Sequence, residues 1–306
     1  MNAVVTRRAV AAAAVAGVFC RGLRARAQAP MAVGAAASNA TSARVHDALA
    51  ALETRSGGRL GVVVLDTGSE HAIGYRAEER FAMCSTFKFL AAAAILTMVD
   101  QGRMELDRRV PFGPADLLEY APIARKHVAG GFMTVDALCE AAIQWSDNTA
   151  ANLLLALIGG PSGWTRYARS IGDATSRLDR TEPGLNSAIA DDPRDTTTPD
   201  AMVRDVNLLL LGKALRDVSR ARLTDWMLGA KVTDTLLRAG LPNGWRVGDK
   251  SGSGERGTRN DIGIILPPRD APIVAAVYYT ESAEPSASRD KVIAEVGRII
   301  ARNLGT

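Results

Sequence analysis

The chain has 306 residues, 47% of them hydrophobic and 23% charged, enough for a large core in one domain or two closely packed ones and too apolar for a disordered chain. Its net charge of +4 is misleading: residues 1–27 hold five arginines (Arg7, Arg8, Arg21, Arg24, Arg26) and no acid, so +4 minus 5 leaves about −1 for the rest. Nothing in that balance calls for a nucleic-acid partner.

In chain order, Thr6-Arg7-Arg8, an apolar run over 9–19 and Ala25-Arg26-Ala27 have the arrangement of an export signal, with cleavage expected after Ala27. The paired arginines suggest the twin-arginine route, although a general secretory signal looks similar, and either leads to the periplasm or beyond. The apolar run falls short of the ~20 residues that cross a bilayer, so no stable membrane association is expected after cleavage. Cys20 offers a lipidation site that the bulky Phe19 disfavours. It leaves with the signal, and Cys84 and Cys139 are expected to be free and buried.

After a small-residue linker over 30–41, Val45, Leu49 and Leu52 recur at helical spacing, with Ser42 as a candidate cap. Residues 60–65 form a β-branched strand, and 73–75 return beside it. Residues 87–100 are apolar, Ala-rich and free of Gly and Pro, which predicts a buried helix ended by Gln101-Gly102. Helical patterns continue to about residue 230, except over 173–199. There Pro183, Gly184, Pro193 and Pro199 break a polar segment into a long loop of the kind that carries function. Strands return at 246–253, 261–266 and 273–280, and a last helix puts Ile293, Val296, Ile300 and Leu304 on one face. The expected fold is α+β: an antiparallel five-stranded sheet flanked by the N- and C-terminal helices, with an all-helical second domain. The units are 42–84 together with 231–306, and 85–230 including the loop, with the site between them.

Three motifs carry chemistry. Ser85-Thr86-Phe87-Lys88 starts the apolar helix, so Ser85 and Lys88 lie one turn apart on one face. Lost hydration favours a neutral amine able to take a hydroxyl proton, and the helix N-terminus favours developing negative charge. A serine cap with a snorkelling lysine gives the same spacing, so this motif alone decides little. Ser146-Asp147-Asn148 follows the apolar pattern Val135, Leu138, Ala142, Ile143 and sits at a helix end, where a plain cap also fits. Lys250-Ser251-Gly252 lies inside a strand, and its glycine weakens that strand unless something such as substrate must approach the backbone.

Ser-x-x-Lys, Ser-Asp-Asn and Lys-Ser-Gly, in this order on a helix, a loop and a strand, resemble the penicillin-recognising serine enzymes. Arg180-Thr181-Glu182-Pro183-Gly184-Leu185-Asn186 resembles the Glu-Pro-x-x-Asn loop of the class A β-lactamases, so the resemblance runs from about Ser42 to the end. It implies a cofactor-free, monomeric hydrolase of small β-lactams that confers antibiotic resistance. Ser85 is the implied nucleophile, Lys88 or Glu182 the acylation base, and Ser146 the proton relay. Glu182 with Asn186 is implied to activate the deacylating water, Lys250, Ser251, Ser253 and Arg259 to bind the substrate carboxylate, Asn148 its side-chain amide, and Tyr120 to wall the entrance. The resemblance also implies a cis Glu182-Pro183 bond and an Arg180–Asp195 salt bridge.

Three departures stand out. Ser251 replaces a frequent threonine. Gly254 stands where some members place a cysteine that pairs with the one beside the nucleophile, here Cys84. Ala92 stands where Cys139 would find a partner. A cell-wall transpeptidase would use the first three motifs, but Glu182 argues against it. A β-lactam sensor would need a membrane segment, and none is visible after Ala27. His46, His71 and His127 are too scattered for zinc.

Overall fold

The computed structural model describes residues 36–304, and the expected export signal lies outside them. Helix α1 (Ala36–Ser56) buries Val45, Leu49 and Leu52 at the expected spacing. It reaches back through the expected linker, whose small residues tolerate a helix, so Ser42 is an interior position and not its cap. The Ser42 hydroxyl lies 2.7 Å from His71 Nε2.

Strands β1 (Arg59–Asp66) and β2 (His71–Tyr75) form the expected hairpin. β3 (Phe81–Ala82) leads through a 3₁₀ turn, Cys84–Thr86, into α2 (Phe87–Asp100), which is buried from Phe87 to Leu96 and ends before a left-handed Gly102 at φ +68°. β4 (Arg109–Pro111), α3 (Ala124–His127), β5 (Phe132–Thr134), α4 (Val135–Gln144), α5 (Asn148–Ile158) and α6 (Gly160–Ser170) follow. β4 pairs with β5, so the expected helical region also contains a short antiparallel pair, its strands too short to show a period in the sequence. The long loop ends at β6 (Thr196–Thr197), which pairs back to β3. Then come α7 (Pro199–Leu210), α8 (Asp217–Leu228), α9 (Leu237–Gly240), β7 (Arg246–Ser253), β8 (Arg259–Leu266), β9 (Ile273–Thr280) and α10 (Ser286–Leu304).

The five-stranded sheet runs β2-β1-β9-β8-β7, antiparallel throughout, so the two ends of the chain meet in its centre. Side chains alternate across each strand. On β1, Val63 and Leu65 enter one core, while Leu60, Val62 and Val64 enter another. On β9, Val274, Ala276 and Tyr278 face the first core, and Ala275, Val277 and Tyr279 the second. The first core lies under the helical region and contains most of α2; the second lies under α1 and α10. Each Val or Leu buried in either contributes about 1.5–3 kcal/mol, which explains why the central strands are apolar on both faces.

β7 is an edge strand, and it passes close to the turn that carries Ser85. A Cβ at Gly252 would come 2.8 Å from Met83 O. The glycine of the third motif therefore admits the close approach its sequence suggested, made here by the protein's own backbone at Met83. Asn260 on β8 secures the same turn by donating to Ala82 O at 2.9 Å and Met83 O at 3.1 Å.

Candidate active site

Ser85 sits in the 3₁₀ turn, reached through Cys84 in a left-handed conformation at φ +46°. Such a conformation costs a non-glycine residue about 1–3 kcal/mol and persists only where the surroundings fix it. Here they do: Met83 N donates to Asp195 O at 2.9 Å, and Trp164 Nε1 to Phe87 O at 2.9 Å. Lys88 follows one turn later and is wholly enclosed. Its Nζ lies 2.9 Å from Ser85 Oγ, 2.8 Å from Ser146 O, 2.6 Å from Asn148 Oδ1 and 3.0 Å from Glu182 Oε1. Burial lowers the Lys88 pKa, with the Glu182 carboxylate opposing the shift.

Glu182 completes a triangle with Ser85 and Lys88, its Oε1 3.3 Å from Ser85 Oγ and 3.0 Å from Lys88 Nζ. It is 3% exposed, so the reading of a solvated loop carboxylate does not hold. Asn186 Nδ2 donates to Glu182 Oε2 at 2.5 Å, through a 3₁₀ turn, Gly184–Asn186, that brings the two side chains together. The Glu182-Pro183 bond is cis. Arg180 pairs with the buried Asp195 at 2.6 Å, closing the neck of the loop as expected.

Ser146 is left-handed at φ +57° between α4 and α5, which presents its hydroxyl to both lysines: Lys250 Nζ at 3.0 Å and Lys88 Nζ at 3.4 Å. Lys250 on β7 is fully buried, and desolvation together with the charge of Lys88 drives its pKa well down. Ser251 follows on the strand. Arg259 pairs across the β7–β8 turn with Ser253, donating to Ser253 Oγ at 2.7 Å while its Nε holds Asp290 at 2.7 Å. Tyr120 is 48% exposed, with its hydroxyl 3.2 Å from Trp145 O.

These side chains converge. A cleft of about 300 Å³ is lined by Ser85, Tyr120, Ser146, Asn148, Asn186, Val232, Ser251, Ser253 and Arg259. Lys88, Glu182 and Lys250 lie just beneath its floor, in contact with the lining hydroxyls. A larger cavity of about 550 Å³ opens elsewhere, lined by Arg59, Arg80 and residues 188–194, and contains none of the motif side chains. Cys84 and Cys139 are free and buried, and burial raises both thiol pKa values. A Cβ at Gly254 would come 2.6 Å from Cys84 Sγ, so that glycine does stand where a bridging cysteine would sit.

Two supporting residues were not singled out in the sequence. Asn152 clamps the backbone of Glu182, with Nδ2 2.9 Å from Glu182 O and Oδ1 3.0 Å from Glu182 N. Its signal was available, because it stands four residues after Asn148 and therefore shares that helix face. Asp147, buried in the second motif, caps α5 through Ala150 N at 2.9 Å and accepts from Ile123 N and Ala124 N at 2.9 Å each.

A serine in contact with both an enclosed amine and an enclosed carboxylate, beside a second lysine–serine pair, is an arrangement for acyl transfer followed by hydrolysis. The model of the β-lactamase enzyme family matches residues 44–304. The chain belongs to the β-lactamase enzyme family. This β-lactamase is 49% identical to β-lactamase CTX-M-97 of Escherichia coli over 271 residues, 89% of this chain and 93% of that one. It is 45% identical to β-lactamase OXY-2 of Klebsiella oxytoca over 275 residues, 90% of this chain and 94% of that one. Among solved structures it resembles the ancestral class A β-lactamase GNCA with a TM-score of 0.83 and 58% identity, over 84% of this chain and 99% of that chain. These relatives put it in class A of the serine β-lactamases.

Proposed function

We propose that this β-lactamase opens the β-lactam amide of penicillins and cephalosporins through an acyl-enzyme on Ser85, and so confers resistance to them. The substrate carboxylate is drawn to Lys250, Ser251, Ser253 and Arg259, its side-chain amide to Asn148, and Tyr120 walls the entrance. Ser85 Oγ attacks the ring carbonyl while the backbone N–H groups of Ser85 and Ser253 stabilise the oxyanion. The C–N bond breaks, the ester forms, and Ser146 passes a proton to the departing nitrogen and is replenished from Lys88, 3.4 Å away, so that the proton taken from Ser85 ends on that nitrogen and the base is free again. Lys88 or Glu182 accepts the serine proton in this first half. In the second half, Glu182 and Asn186 hold a water against the ester, Glu182 takes its proton as it attacks and returns that proton to Ser85 Oγ, and Ser85 leaves as the hydroxyl with the carboxylate restored.

The observation that carries this reading is the position of Ser85 Oγ, 2.9 Å from Lys88 Nζ and 3.3 Å from Glu182 Oε1. A transpeptidase needs the amine but has no use for an enclosed carboxylate beside the ester. Sequence likeness at Ser253-Gly254 to cephalosporin-hydrolysing members supports the second substrate class. The same reading takes 42–84 with 231–306 as one unit and 85–230 as the other. It takes the protein as a periplasmic or secreted monomer released after Ala27; among the described residues no helix is long and apolar enough to cross a membrane. Loss of the β-lactam absorbance of benzylpenicillin tests the activity: the wild type turns over many equivalents, and S85A none. Undiminished turnover by S85A contradicts it.

A further inference from the structure

Two carboxyl groups are buried at the neck of the loop that carries Glu182. Asp173 opens the loop, and Asp205 stands on α7, which begins as the loop ends. They are 6% and 3% exposed, and each leaves its Oδ2 without a hydrogen-bond partner. Both carboxyls line one cavity of about 90 Å³, and the Asp173 carboxyl is near enough to oppose ionisation of Asp205. Two ionised carboxylates there would repel each other in a low dielectric, whereas one proton between them satisfies both orphaned oxygens at once.

We infer that Asp205 is held protonated and donates a hydrogen bond to Asp173 Oδ2, forming a latch that ties the loop's entry to the helix after its exit and so positions Glu182. Asp173 is the natural acceptor, because its Oδ1 already takes Thr175 N at 2.7 Å and Ser176 N at 2.9 Å. No hydrogen-bond donor among the described residues reaches Asp205. The cations nearby are otherwise engaged: Arg169 on α6 donates to the carbonyls of Asp173 at 2.5 Å and Ser176 at 2.7 Å, and Arg204 pairs with Asp200. The other titratable groups facing the pair, Tyr167 on α6 and Tyr278 on β9, have their pKa values pushed up by burial and stay neutral. Burial, reinforced by Asp173, raises the Asp205 pKa well above the usual carboxylate range. The latch extends a series of links across the neck: Ser176 Oγ to Thr197 Oγ1 at 2.6 Å, Arg177 N to Thr196 O at 3.0 Å, and the Arg180–Asp195 pair.

The test compares wild type with D205N, which keeps the shape and the donor but does not titrate, and D205L, which loses the donor. A raised folded-state pKa gives stability that is complete below the unfolded carboxylate value and is lost as pH rises through the folded one. The melting temperature of the wild type therefore falls relative to D205N as pH rises from about 5 through the raised folded-state pKa, and D205L melts below both at about pH 5. Parallel curves for wild type and D205N, or a D205L as stable as D205N, overturn the latch. So does a rise in melting temperature on adding calcium chloride that D205N lacks, which makes the pair a cation site. The kinetic arm rests on Glu182 as the deacylating base. Over the same range the kcat of the wild type for benzylpenicillin falls about twofold or more relative to D205N, with the acylation rate unchanged. A constant kcat ratio overturns the positioning role. If benzylpenicillin is not consumed at all, the functional reading fails instead, and the melting curves still decide the latch.

Discussion

Five oxygens surround the nitrogen of Lys88: the Ser85 hydroxyl, the carbonyl and hydroxyl of Ser146, Asn148 Oδ1 and Glu182 Oε1. An ammonium has three protons to give, so two of these contacts are not separate donated hydrogen bonds. A neutral amine gives two protons and can accept one from the Ser85 hydroxyl, which is the form that can take the serine proton. Burial, which lowers the Lys88 pKa, favours that form, and the neighbouring carboxylate restrains it. An arginine at 88 stays charged and accepts nothing, so K88R should acylate about 10²–10⁴-fold more slowly, as rapid-quench mass spectrometry would record. Acylation at the wild-type rate would remove Lys88 from the chemistry. The residue types of the site were legible in the sequence because a lysine in an apolar helix and a glutamate before a proline in a polar loop each invite a reason. At Gly252 a close approach to the backbone was legible, but not that Met83, distant in sequence, makes it.

At the scale of elements, the site depends on where α5 begins. Asp147 accepts three buried backbone N–H groups, one from its own helix and two from the segment leading into α3. The residues on either side of it, Ser146 and Asn148, are thereby set facing the cleft. An unpaired buried donor costs about 1–3 kcal/mol, so D147A should lose about 3 kcal/mol or more in urea denaturation. A loss below about 1 kcal/mol would show that water or repacking replaces the cap. The sequence marked Asp147 as part of a motif but gave it no task, since that task depends on which backbone lies opposite. Asn152 was overlooked for the same reason, although its helix face was readable. Ser42 shows the converse, since a good capping residue became interior when the small residues before it continued the helix.

Across the whole molecule, two cores on opposite faces of one sheet let the chain ends build a platform and the middle build a lid, with the cleft at their seam. The architecture was legible because the central strands are apolar at consecutive positions and the long helices keep their period. The short pairs β4–β5 and β3–β6 were not, since two or three residues display no period. The seam explains why a carboxylate on a distant loop meets a serine on a helix: Asp195 joins the loop to Met83, and Asn186 O accepts Glu255 N at 2.8 Å. The account therefore stands or falls on whether Ser85 carries the ester and Glu182 discharges it. Intact-mass and peptide mapping of E182A after mixing with benzylpenicillin measures both. The predicted result is a persistent adduct of one whole penicillin on Ser85, where the wild type shows only a transient one and S85A none. No adduct, an adduct on another residue, or clearance from E182A as fast as from the wild type would contradict it.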